Sequence, residues 1–252
     1  MVMKVDLNSD MGEGFGPWRM GDDAALLDVI TSANIACGFH AGDPDVMAET
    51  MRLAAKNGVG IGAHPGFADL KGFGRRRLNI GADELGNMIA YQLGAAEGVA
   101  RSVGANIRHF KLHGALANMC AEDATLAKTC YSAALRVNPE IILMVLAETA
   151  QQAVVQELGA NWAGEIFADR AYEDDATLVD RSKAGAVLHD ADMAAERILN
   201  MLREDAIIAE SGKRIPAKID TICLHGDTPE AVEMARALRT KLSAAGVTLA
   251  MF

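Results

Sequence analysis

Residues 7–16, with the sequence LNSDMGEGFG, decide the fold of this chain. They continue a short run in which Val5 and Leu7 lie on one face and Asn8 and Asp10 on the other, because side chains alternate along a strand. The run ends in a turn rich in glycine. This pattern is typical of the C-terminal end of a barrel strand, where polar side chains face the mouth. Asp10 could instead cap the turn, as aspartate often does.

The rest of the chain repeats the unit of a strand followed by a helix. Strands are predicted at residues 5–10, 32–37, 59–64, 109–113, 141–146, 162–169 and 219–225. Helices are predicted at residues 22–30, 43–58, 85–103, 121–137, 148–158, 190–208 and 228–246. This alternation indicates an α/β fold, with a parallel sheet and helices packed outside it.

Polar side chains stand at the C-terminal ends of most of these strands. They are Asp10, His40, His64, Lys111 with His113, Asp169 and His225. A closed barrel brings all such ends to one mouth, whereas an open sheet leaves the outer ones far from its switch point. We therefore predict a closed parallel β/α barrel of about seven strands.

Composition favours one domain, residues 1–252, because half of the 252 residues are hydrophobic and can build one large core. The net charge of −10 argues against a nucleic-acid partner. The four cysteines form no CxxC pair, which suits a reducing cytoplasm better than a disulfide framework. No apolar signal segment or membrane-spanning run is visible. We expect a cytoplasmic enzyme that acts on a small molecule.

Four of the six histidines, His40, His64, His113 and His225, follow strands at the predicted mouth. Each one alone is more often structural, but together they indicate a functional site. One interpretation is a divalent metal with Asp10, His40 and His64 as ligands and a bound water as nucleophile. The chain lacks HxxxH and HExxH spacing, so the other interpretation stays open: Asp10 or a histidine acts as general base without metal.

Lys111 and His113 are two residues apart in a strand and therefore share its inward face. Burial disfavours a lysine charge, so Lys111 needs a partner. We expect either an ion pair with Asp10 or Glu13, or an anionic substrate.

Three arginines, Arg75, Arg76 and Arg77, follow a GFG turn in a long loop after the third strand. Arginine binds carboxylate or phosphate through two parallel hydrogen bonds, so Arg75 and Arg76, nearest the glycines, are candidates for binding an anionic substrate. A solvated charge run is the alternative. The chain has neither a GxSxG elbow nor a GxxxxGK[ST] phosphate loop.

Six segments together resemble the LamB/YcsF family, in the family's order and over nearly the whole chain. They are LNSDMGEGFG, NIACGFHAGDP, GAHPGFADLKGFGRR, HFKLHGALAN, EIFADRAYEDDATLVDRSKAGAVL and ICLHGDTP. Leu112 and Ala68 depart from the family, which usually has proline in the KPHG motif and often has it in the loop after the third strand.

The resemblance implies an irregular seven-stranded β/α barrel similar to the glycoside hydrolase and deacetylase group. It also implies a role in a three-component 5-oxoprolinase, which with subunits B and C uses ATP to hydrolyse the lactam of 5-oxo-L-proline to L-glutamate.

On this hypothesis Asp10 or His113 activates water, while Lys111 and Arg75 hold phosphate and carboxylate. The remaining candidate substrate-binding residues are Asn8, Glu13, His40, His64, Arg76, Asp169 and His225. Two rival functions are a stand-alone metal-dependent amide or N-acetyl hydrolase and a non-catalytic 5-oxoproline-binding subunit. The sequence leaves open whether the chain forms a homo-oligomer, and whether residues 170–189 are a lid or a partner surface.

Overall fold

Seven parallel strands close into a barrel in the structure, a computed structural model that describes residues 3–188, 190–224 and 231–252. In chain order the strands are β1 (Lys4–Met11), β2 (Ser32–Ala36), β3 (Gly60–His64), β4 (His109–Lys111), β5 (Ile142–Leu146), β6 (Trp162–Phe167), β7 (Ala206–Ile208), β8 (Arg214–Pro216), β9 (Thr221–Leu224) and β10 (Thr248–Leu249). Strands β1 to β6 pair in sequence order, and β9 closes the barrel by pairing with both β6 and β1. The predicted β/α barrel is confirmed.

Helices connect the strands on the outside. They are α1 (Asp23–Leu27), α2 (Pro44–Lys56), α3 (Ala82–Ser102), α4 (Gly114–Glu122), α5 (Ala124–Val137), α6 (Ala150–Glu157), α7 (Ala191–Glu204) and α8 (Ala231–Ala244). Helix α2 begins as the sequence predicts: the Asp43 side chain accepts hydrogen bonds from the N–H groups of Asp45 and Val46, and Pro44 occupies the first turn. Among the described residues, no helix is long and apolar enough to span a bilayer.

The alternation in β1 determines which residues build the core and which build the barrel interior. Val5 and Leu7 are buried in the apolar layer between sheet and helices. Asn8 and Asp10 take part in hydrogen bonds with side chains from other barrel strands, so the interior is polar.

Close packing inside the barrel requires a glycine in β3. A Cβ atom at Gly62 would lie 2.1 Å from Nε2 of His109, which is far inside van der Waals contact. The absence of a side chain in β3 therefore makes room for the buried ring of the neighbouring strand.

Three parts of the predicted element order are wrong. The helix predicted at 121–137 begins at Ala124, because Asp123 caps α5 and ends a preceding helix, α4, that was not predicted. The helix predicted to run to Ile208 ends at Glu204, since Asp205 adopts a left-handed φ of 46°. Strands β7 and β8 then form an antiparallel pair, and the short β10 adds to β1, neither of which was predicted.

Candidate active site at the mouth of the barrel

The carboxylate of Asp10, at the end of β1, is held from three sides. Its Oδ1 atom accepts hydrogen bonds from Asn34 Nδ2 at 2.9 Å and from Lys111 Nζ at 3.0 Å. Its Oδ2 atom lies 3.3 Å from Nε2 of His64. Asp10 is therefore fixed by β2, β3 and β4, and the structure pairs it with Lys111 as the sequence predicts.

A second buried carboxylate, Glu165 of β6, also contacts Lys111. The Nζ atom lies 2.8 Å from Glu165 Oε1, 3.3 Å from Asn8 Oδ1 and 3.1 Å from Cys223 Sγ. Burial alone would lower the pKa of Lys111, but the charges of Asp10 and Glu165 raise it well above its ordinary value. Burial nevertheless keeps the pKa of Glu165 above its ordinary value. One firmly charged ammonium thus serves two carboxylates, and Glu165 is only partly compensated.

Three histidine rings and Glu13 form a cluster beside Asp10, which we call the histidine cluster (Glu13, His40, His64 and His113). The His40 and His113 rings are stacked, with centroids 3.6 Å apart and planes 5° apart. His64 stands at 88° to both. Burial lowers the pKa of His113 to about 3 and that of His40 well below its ordinary value, so both rings are neutral at pH 7.

Two glycines in the long loop after β3 let the backbone approach these rings. Gly74 has a φ of 62°, and a Cβ atom there would lie 2.7 Å from His40 Cβ and 2.8 Å from His113 Cδ2. A Cβ atom at Gly66 would lie 2.9 Å from His40 Nδ1. The side chain of Gln92, from α3, holds Gly66 through both its N–H and its carbonyl. The long loop after β3 is thus a packed wall of the site.

The three arginines of that loop have different environments. Arg75 lines the cavity, with its guanidinium 4.9 Å from the centroid of the Phe73 ring. The Arg76 guanidinium hydrogen-bonds to Asp69, and Arg76 does not line the cavity. Arg77 pairs with Glu122 at the rim.

The candidate site opens into a cavity of about 450 Å³ at the mouth of the barrel. Its lining includes the predicted residues Asp10, Glu13, His64, Arg75, Lys111 and His113. Asn8 lies deeper in the interior, and His40 is buried behind His113. Asp169 follows β6 and is buried outside the lining. His225 lies outside the described residues, so its placement stays a prediction.

Residues 170–188 form one wall of the cavity. Arg170, Thr177, Leu178, Val179, Asp180 and Arg181 line it. The buried guanidinium of Arg170 donates hydrogen bonds to the carbonyls of Val179 at 2.6 Å and Ala186 at 3.2 Å, which hold the segment in place. The segment that the sequence left open as a lid or a partner surface therefore contributes to the wall of the cavity.

Sequence reasoning missed Glu165 and the position of Cys223 beside Lys111. A signal for Glu165 was present, because it is the one charged residue in the apolar run WAGEIF of β6. A charge at such a position requires a partner in the barrel interior.

The histidine cluster is the group that could hold a metal in the described part of the chain. One ligand atom from each of the four side chains lies within 4.8 Å of the others. The set differs from the expected Asp10, His40 and His64: Glu13 and His113 join, while Lys111 and Asn34 hold Asp10.

Comparison with known proteins finds one family and relatives that share one name. The sequence model of the LamB/YcsF family matches residues 5–252. A protein from Ruegeria pomeroyi, named as the A component of 5-oxoprolinase, is 64% identical over 251 residues, covering 100% of this chain and 99% of the relative. One of the same name from Rhodopseudomonas palustris is 53% identical over 251 residues, covering 99% of each.

Solved structures agree with the fold. A lactam utilization protein from Thermus thermophilus has a TM-score of 0.93 and 38% identity, with 99% of this chain and 100% of that chain covered. A family 4 carbohydrate esterase from Streptomyces lividans has a TM-score of 0.53 at 11% identity, with 99% and 92% covered, and shares the fold alone.

Proposed function

The chain belongs to the LamB/YcsF family, and from this premise we propose that it is the lactam-opening subunit of an ATP-dependent 5-oxoprolinase. The observation that carries the proposal is the floor of the cavity, where Asp10, His64, Lys111 and His113 meet within hydrogen-bond or ion-pair distance. The names of the relatives supply the substrate class, and the geometry supplies groups that can move a proton and stabilise charge.

The substrate needs activation because an unstrained five-membered lactam resists attack by water. Transfer of the γ-phosphoryl group of ATP to the lactam oxygen gives a better electrophile. Water then adds to the ring carbon, the carbon–nitrogen bond breaks, and the nitrogen leaves as the protonated amine. A second water hydrolyses the resulting acyl phosphate, so L-glutamate, ADP and phosphate are the products.

The carboxylate and imidazoles at the cavity floor are the proposed acceptors for the proton of the attacking water. Asp10 and His113 both line the cavity, and neutral His113 has a nitrogen free of a proton. Lys111 is already bound by Asp10 and Glu165, so its role is to keep those carboxylates ionised and to stabilise the developing oxyanion. Arg75 on the cavity wall is the proposed ligand of the substrate carboxylate or phosphate.

The chain has no Walker-type phosphate loop, and in this proposal the phosphorylated lactam is made together with subunits B and C and opened at this mouth. The four cysteines are free thiols, which fits assembly of such a complex in the reducing cytoplasm.

The test is ATP-dependent glutamate release by the reconstituted three subunits. We expect Asp10→Asn and Lys111→Met to reduce turnover at least about 100-fold, as loss of acid–base or electrostatic groups does. Lys128→Met is the matched control, because Lys128 forms an exposed pair with Glu157 far from the mouth. Near-normal turnover in both cavity variants would refute the assignment.

The same preparation separates the two rival functions. A stand-alone amide or N-acetyl hydrolase would turn over its substrate as the isolated chain without ATP. A non-catalytic binding subunit would retain 5-oxoproline binding while every substitution at the cavity floor left the chemical step of the complex unchanged.

A further inference from the structure

Two backbone carbonyls fix the protons on His64 and His113. Nδ1 of His64 lies 2.9 Å from the carbonyl oxygen of Lys111, and Nε2 of His113 lies 2.8 Å from that of Phe73. A carbonyl can only accept, so each of these nitrogens carries the hydrogen and donates it. When a proton is absent from the other two nitrogens, His64 Nε2 and His113 Nδ1 present lone pairs, and His64 Nε2 also lies 3.3 Å from Oδ2 of Asp10.

These two lone-pair nitrogens lie 3.1 Å apart. Facing lone pairs at this distance repel, so the arrangement requires a cation between or beside them. The cation is either one shared proton or a metal ion. In a tetrahedral site with bonds of about 2.0–2.1 Å the ligand atoms are about 3.3 Å apart, so the spacing fits two ligands of one metal.

Two further side chains complete a ligand set. Glu13 Oε1 lies 3.8 Å from His40 Nε2 and 4.0 Å from His113 Nδ1. His40 is completely buried, and neither of its ring nitrogens has a hydrogen-bond partner among the described residues. A buried imidazole without a partner is costly unless something else binds it.

We propose that the histidine cluster binds one divalent transition-metal ion, with His64 Nε2, His113 Nδ1 and Glu13 as its main ligands. Metal-bound histidines usually donate their other ring N–H to a carbonyl or carboxylate, which is the arrangement of His64 and His113. A donor set rich in imidazole selects zinc, iron, cobalt, nickel or copper over magnesium and calcium. His40 is a weaker fourth ligand, because its ring is parallel to that of His113 and must rotate to share the ion.

The site opens toward the cavity, since Glu13, His64 and His113 all line it. Three protein ligands leave a position for water or for a substrate oxygen. An ion bound to Nδ1 of His113 leaves Asp10 as the proton acceptor of the proposed reaction. Metal binding is measured on the isolated chain without ATP, lactam or partner subunits, so its failure is distinguishable from failure of the proposed reaction.

The experiment uses the full chain, stripped with a chelator, and measures zinc and cobalt binding by calorimetry and elemental analysis. We expect about one ion bound per chain, and we expect the absorption spectrum of the cobalt-loaded chain to indicate imidazole ligands. Glu13→Gln and His113→Gln should each weaken zinc binding at least about ten-fold, with His40→Gln weakening it less. Glu122→Gln is the matched control, because Glu122 lines the same cavity and pairs with Arg77 instead.

Circular dichroism checks that each variant is folded. If a variant fails to fold, pulsed electron paramagnetic resonance of the copper-loaded wild-type chain tests the same ligands, with coupling to imidazole nitrogens expected. The proposal is overturned if the stripped wild type binds no stoichiometric metal, which leaves a shared proton, or if Glu13→Gln and His113→Gln bind zinc as tightly as the wild type.

Discussion

Replacement of Lys111 by methionine removes the cation that serves two buried carboxylates. The ammonium contacts Asp10 at 3.0 Å and Glu165 at 2.8 Å, and the side chain is 5% exposed. Methionine fills a similar volume, so the main effect is electrostatic. Removing one partner of a buried ion pair costs about 3–5 kcal/mol, because the remaining charge is left uncompensated. We expect the free energy of unfolding to fall by that amount at pH 7.

The pH dependence of this loss identifies its cause. Burial already raises the pKa of Glu165 while Lys111 is present, and removing Lys111 raises it further. A carboxyl whose pKa is higher in the folded state than in the unfolded state binds more protons when folded, so stability falls as pH rises through that range. The destabilisation of Lys111→Met should therefore grow between pH 5 and pH 8, in which range the wild type keeps its ion pair.

Urea unfolding followed by circular dichroism at several pH values measures the effect. Lys128→Met, which breaks an exposed pair with Glu157, should cost no more than about 1 kcal/mol at any of them. The double variant Lys111→Met with Glu165→Gln should recover part of the stability, since one unpaired carboxylate is removed. A loss in Lys111→Met as small as that in Lys128→Met, or one that does not change with pH, would refute the electrostatic reasoning.

Two further predictions concern the barrel interior. Gly62→Ala should destabilise the protein by about 1–3 kcal/mol in urea unfolding, because the new Cβ atom would lie 2.1 Å from the His109 ring. Gly94→Ala is the control, since Gly94 lies in α3 with no atom near its Cβ position, and this change should be neutral or stabilising. Equal effects of the two substitutions on the free energy of unfolding would contradict the packing argument. Burial lowers the pKa of His109 to about 3, so the unfolded chain binds a proton below pH 6.5 that the folded chain does not. Relative to His109→Asn, the free energy of unfolding of the wild type should fall by about 1.4 kcal/mol for each pH unit between pH 6 and pH 4. If the free energies of unfolding of the two proteins change in parallel with pH, His109 is not the group involved.

The faces of the barrel strands could be predicted from the sequence because the period of two is fixed by the backbone. Val5 and Leu7 face the helices and Asp10 faces the mouth for that reason alone. The end of α7 could not be predicted, since Ile207 and Ile208 continue an apolar spacing that suits a helix. Only the left-handed conformation of Asp205 separates helix from strand there.

The partners within the site were partly predictable. A buried lysine demands a carboxylate, and Asp10 was one of the two residues offered. Glu165 carried a local signal as a charge in an apolar strand, but its pairing with Lys111 depends on how β4 and β6, on either side of β5, direct their inward side chains. The pairing of Arg76 with Asp69 depends on the fold of one irregular loop. Local periodicity thus predicts which side chains face inward, while closure of the barrel decides which of them meet.

A series of hydrogen bonds beneath the mouth links Asp10 to the polar interior of the barrel. Thr221 donates to Asp6 and accepts from Nδ2 of Asn8 at 2.7 Å. Nδ2 of Asn34 donates both to Asn8 Oδ1 at 2.7 Å and to Asp10 at 2.9 Å, so each amide hydrogen in this series has a fixed acceptor.

Asp10 is therefore oriented by a series of hydrogen bonds between side chains of the barrel strands, which begins at Asp6 and ends at the mouth. Glu13 instead follows the glycine turn after β1, whose backbone is held by Asp23 at Gly12 and by Asp43 at Gly16. Groups that must keep a fixed geometry are best placed on rigid elements, and groups that adjust to a ligand are best placed on loops. Asp10 on a barrel strand suits a proton acceptor that must stay in place, and Glu13 on the turn suits a ligand of the proposed metal ion.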